Sequence, residues 1–120
     1  IENQLLTLPG GDPVRHWWLT RLSSVRYEQM DYVGALGFAR EAREIRPNCP
    51  LVLWDMAGAF DMLGQPDAAN EIYSRLILRG ATTLAYGECG EGIEWSRSLV
   101  ADCKKRLRSR KVMAINNGKA

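Results

Sequence analysis

PLVLWDMAGAFDMLGQPDAANEIYSRLILRG, residues 50–80, reads as two helices and the turn between them. Leu53, Met56, Ala57 and Phe60 recur at intervals of three and four, the spacing that gathers side chains on one face of an α-helix. Gly64 follows where a left-handed residue closes a helix. The spacing predicts a first helix from Pro50 or Leu51 to Leu63. Pro66-Asp67 opens a second, because proline in a first turn gives up an N–H that has no partner there anyway. Its buried face would be Ala69, Ile72, Tyr73, Leu76 and Ile77, and Gly80 would end it. So short a connection makes the two helices antiparallel neighbours.

The same grammar extends in both directions. Upstream, Asp12-Pro13 offers an N-cap and an N1 proline to a helix from Val14 to about Glu28, carrying Trp18, Leu22 and Val25, with Trp17 and Arg21 on a neighbouring stripe. After Met30-Asp31, the residues Tyr32, Ala35, Leu36, Ala39, Ala42 and Ile45 form a small-residue face that ends at Pro47. Downstream, Thr82 to Tyr86 has room for one helical turn, while Gly87, Gly90 and Gly92 predict a break near Glu88 to Glu91. Ile93, Ser96, Leu99, Val100, Cys103 and Leu107 restore helical spacing, which predicts a terminal helix over about 91–110 and a flexible tail over 112–120. Composition agrees, with 26 Leu and Ala against 16 Val, Ile and Thr, a balance that favours helix over sheet. The expected fold is all-α, in one domain over 1–120.

Residues 16–49 and 50–83 superpose at an offset of 34: Leu19 falls on Leu53, Leu22 on Met56, Tyr32 on Pro66, Ala35 on Ala69 and Ala39 on Tyr73. This pattern resembles the tetratricopeptide repeat, a two-helix unit with Leu, small and aromatic residues on its first helix, small and aromatic residues on its second, and a closing proline. The resemblance covers about 14–80, with repeat 1 at about 14–47 and repeat 2 at about 50–80. It departs from the family pattern at Ser23 and Arg26, which occupy the small and aromatic positions of the first helix. It implies a short right-handed superhelix of stacked hairpins with a C-terminal capping helix. An unrelated helical bundle with equally short loops is the alternative.

Catalytic and metal chemistry are not expected. His16 is the single histidine, so neither a catalytic dyad nor a histidine-rich metal site can be assembled. Cys49, Cys89 and Cys103 are too few and too far apart for a disulfide framework or a recognised zinc spacing, and read as buried thiols. The stretch Gly87-Glu88-Cys89-Gly90-Glu91-Gly92 lacks a preceding strand and carries acids that repel phosphate. Glu88, Glu91 and Glu94 sit where a helix start favours negative charge. No cofactor, metal or enzymatic activity is therefore expected. No run approaches the roughly 20 apolar residues that span a bilayer, and a cytoplasmic location without membrane contact is the corresponding expectation.

A binding surface remains. The resemblance implies a concave groove lined by the first helices of successive units, which would present Trp17, Thr20, Ser24 and Tyr27, then Trp54, Gly58, Asp61 and Met62, with Trp95 as a possible extension. Outward-facing aromatics are the residue type that dominates binding hot spots, so a protein or peptide partner is expected. The alternative is that Trp17 or Trp54 packs in the core or under the arm Leu5 to Pro9. The charge pattern offers a second surface. Net charge is +2, but residues 1–103 carry 14 acids against 9 Arg, while residues 104–120 carry 3 Arg, 4 Lys and no acid. Lys104, Lys105, Arg106, Arg108, Arg110 and Lys111 form a basic tail able to meet nucleic acid or another acidic partner, although cations also suit a helix C-terminus. Nucleic acid is the less expected partner, because the body is acidic. Homodimerisation through an exposed seam is the third reading.

Overall fold

Proline and glycine punctuate the chain where the sequence reading expects them. The computed structural model describes residues 13–118, with side chains over 14–110. The helices are α1 (Pro13–Glu28), α2 (Tyr32–Ile45), α3 (Pro50–Met62), α4 (Pro66–Tyr86) and α5 (Ile93–Gly118), with no strand among the described residues. The fold is all-α. The expected cap at Asp12, the arm Leu5 to Pro9, the side chain of Lys111 and residues 119–120 lie outside the described residues.

Each turn has a local cause. Met30 adopts φ 62°, and Asp31 caps α2 by accepting the Gly34 N–H at 3.0 Å. Gly64, at φ 73°, closes α3 in the left-handed region. Gly80 has φ 79° and ψ 159°, a combination open essentially to glycine alone. It interrupts α4, so a short helical piece over 81–86 follows the break at a new angle. The loop 87–92 then separates it from α5. The expected end of the terminal helix near Arg110, and with it the flexible tail over 112–118, is corrected: α5 runs on to Gly118, because 104–118 contains neither proline nor an internal glycine to stop it.

Consecutive helices pack on one another, and α1 also packs on α3, as stacked hairpins require. The offset of 34 survives as equivalence of environment: Leu19 and Leu53, Leu22 and Met56, Ala35 and Ala69, and Ala39 and Tyr73 are all buried. Helix ends repeat likewise, α1 stopping at Glu28 and α3 at Met62, α2 starting at Tyr32 and α4 at Pro66. The two departures are also accommodated. Buried Ser23 donates its hydroxyl to the Ala35 carbonyl at 2.9 Å, and Arg26 lays its guanidinium 5.8 Å from the centre of the Phe38 ring and 3.8 Å from Asp31. Leu99 and Cys103 of α5 complete the core against α4. Among the described residues, no helix is long and apolar enough to cross a membrane.

Candidate functional site

Three helices converge on one cleft. Tyr27 from α1, Trp54, Asp55 and Gly58 from α3, and Arg106 from α5 line a recess of about 100 Å³. The Tyr27 ring packs over Gly58, where a Cβ would stand in ordinary contact with it at 3.4 Å. Ser24 reaches the Asp55 carboxylate at 3.4 Å. Burial pushes the Asp55 carboxyl up to about 6, partly opposed by that hydroxyl. A wider depression of about 520 Å³ continues along α5 past Asp102, Lys105, Arg106, Ser109 and Arg110.

Beside the cleft lies a polar cluster around the buried Tyr73. The Tyr73 hydroxyl donates to Asp61 Oδ2 at 2.8 Å, Arg106 lies 3.6 Å from the same carboxylate, and Arg110 pairs with Asp61 and donates to Asn70. The Arg106 guanidinium sits 4.9 Å from the Trp54 ring centre, and that of Arg110 sits 5.2 Å from the Tyr73 ring centre, distances at which cations are attracted to ring faces. Burial, followed by the Asp61 hydrogen bond, raises the Tyr73 pKa.

Of the residues expected in a groove, Tyr27, Trp54 and Gly58 line the cleft, Ser24 joins it through Asp55 and Asp61 through Arg106, and Met62 is exposed at the end of α3. Trp54 is only half-exposed, packed on the core and on Tyr73 at 5.7 Å between ring centres. Thr20 spends its hydroxyl on the His16 carbonyl at 2.9 Å. Trp17, 52% exposed, stands apart, roughly 15 Å along α1 from Tyr27. It packs edge-on against Trp18 under the guanidinium of Arg21. Trp95 is half-buried against the core rather than an extension of the groove. The basic tail is divided: Arg110 and the still-exposed Arg106 reach Asp61, whereas Lys104, Lys105 and Arg108 are exposed.

A second constellation escaped the sequence reading. His16 of α1, Cys49 at the N-cap of α3 and Cys89 in the loop before α5 bring their ligand atoms within 4.8 Å of one another. His16 and Cys49 are buried, at 7% and 1% exposure, and Cys89 is partly covered. His16 Nε2 has no hydrogen-bond partner. Desolvation and the charge of Arg46 lower the His16 pKa, with Glu88 opposing, so the ring is held neutral near neutral pH. Burial and the neighbouring Cys89 push the Cys49 thiol up to about 12. The backbone N–H of Asn48 donates to Glu88 Oε2 at 3.0 Å, which fixes the Cys89 loop against the turn that carries Cys49.

Comparison with protein-family models, with curated protein sequences and with solved structures returns no match for this chain.

Proposed function

We propose that this chain is a protein-interaction module, a tetratricopeptide-like stack that receives an extended peptide or a partner helix along the face shared by α1, α3 and α5. The observation that supports this reading is the cleft in which Tyr27, Trp54, Asp55 and Arg106 arrive from three separate helices and open onto the depression along α5. A recess of about 100 Å³ holds one side chain, whereas small-molecule sites run to about 300–1,000 Å³. Aromatic walls with one acid and one cation suit an anchor that has an apolar stem and a polar tip, with neighbouring partner residues lying over Lys105 and Ser109.

Selection of random displayed peptides on the full chain tests the reading. Binders selected on the wild type should lose about 30-fold or more in affinity to Tyr27→Ala, the loss of a hot-spot aromatic. They should be indifferent to Leu78→Ser, which alters a residue 88% exposed on α4. Binding that ignores Tyr27→Ala and Trp54→Ala alike would reject the groove.

A further inference from the structure

We propose that His16, Cys49 and Cys89 form a binding site for a thiophilic divalent cation of the zinc class. A neutral imidazole and two sulfurs are the soft-to-borderline donors that such a cation selects over the oxygen ligands of calcium or magnesium. In a tetrahedral zinc site, bonds of about 2.3 Å to sulfur and about 2.0–2.1 Å to nitrogen put the donor atoms roughly 3.5–3.8 Å apart. The present donors lie within 4.8 Å of one another, so each needs to move by about 1 Å or less.

Three further observations separate this cluster from a set of ordinary core thiols. His16 is more than nine-tenths buried, yet its Nε2 finds no partner, an arrangement that costs free energy unless a ligand completes it. Cys89 holds φ 57°, a conformation uncommon for any residue but glycine, at the position that brings it to Cys49. Its loop is so tight that a Cβ on Gly90 would collide with the Ala85 carbonyl, so the chain can pass only with glycine there. Binding displaces one proton from each cysteine, leaving two thiolates on the cation and releasing two protons to solvent. The fourth position falls to water. Bound metal would tie α1, the turn between the hairpins and the last loop into one unit.

Cobalt(II) titration of the full chain, reduced with a phosphine, tests the site. The wild type should take up one equivalent with a thiolate-to-cobalt charge-transfer band that zinc bleaches. Zinc at about 100 times its dissociation constant should raise Tm by about 10 °C. Cys89→Ser and His16→Gln, each checked for helicity by circular dichroism, should weaken binding beyond the about 10–100-fold that loss of a merely supporting group costs. Cys103→Ala, whose sulfur lies outside the cluster, should keep the band. A reduced wild type that gives no band, a band that persists in a folded Cys89→Ser or His16→Gln variant, or isolation of a Cys49–Cys89 disulfide that after reduction remains blind to cobalt would each overturn the proposal.

Discussion

Replacing Asp61 with alanine should detach the C-terminal half of α5 from the hairpin it covers. The carboxylate is 15% exposed and serves the Tyr73 hydroxyl, Arg106 and Arg110 together. Tyr73 is fully buried, so its hydroxyl would be orphaned, at about 1–3 kcal/mol. The two arginines are 47% and 27% exposed, and such screened pairs contribute about 0–1 kcal/mol each. The sum is about 1–5 kcal/mol, and the hydroxyl dominates it. Urea unfolding followed by circular dichroism measures the total, and Tyr73→Phe, alone and combined with Asp61→Ala, isolates the main contribution. In the wild type Tyr73→Phe should cost about 1.5–3 kcal/mol, because it deletes a bond to a charged acceptor. On the Asp61→Ala background it should cost nothing, since the hydroxyl has already lost its partner. Equal costs in the two backgrounds would refute the reasoning, because coupling is what a shared bond produces.

Asp55 makes stability depend on pH. Burial raises its folded pKa from 3.8 to about 6, so the folded state holds the proton more tightly than the unfolded chain, and the resulting stability is present at low pH and lost as pH climbs from about 4 to about 6. His16, lowered by burial, acts in the opposite sense and destabilises the fold as pH falls below its ordinary value. Asp55→Asn should therefore gain in Tm on the wild type across about pH 4 to 6 and hold a constant lead above it; a difference flat over the whole range would contradict the assignment. Gly80→Ala should cost about 1–3 kcal/mol although the space around it is open, because the strain lies in the backbone. A thermal melt that shows no loss would mean that the break in α4 does not need glycine.

Helix positions were legible because periodicity is local. Leu53, Met56 and Phe60 announce a helix face without reference to anything distant, and Gly80 announces a break because it lacks a side chain. The long-range offset was legible too, since Leu19 and Leu53, Leu22 and Met56, and Ala35 and Ala69 are alike in size, although Ala39 and Tyr73 are not. Two features were hidden. Arg106 and Arg110 look like solvated tail charges until Asp61 is placed across from them, and no local pattern on α3 reports that geometry. His16, Cys49 and Cys89 sit in a helix start, a cap and a loop, far apart in sequence and outside any periodic stretch. A search by spacing therefore passes over them, and only the docking of one loop on another brings them together.

The kink at Gly80 also fixes where this architecture can grow. A third unit in phase with the first two would open at Leu84, but α5 opens at Ile93, after the short helical piece and the glycine loop. The array is thus terminated out of step, and a duplicated hairpin appended after Gly80 would meet a surface of the wrong register. Insertion in the turn at Pro47-Asn48 would meet matching surfaces on both sides. It would also carry His16 a full repeat away from Cys89. Lengthening the scaffold by insertion at that turn would therefore break the cysteine–histidine cluster, which ties the spacing of the two hairpins to the cluster as well as to the stack.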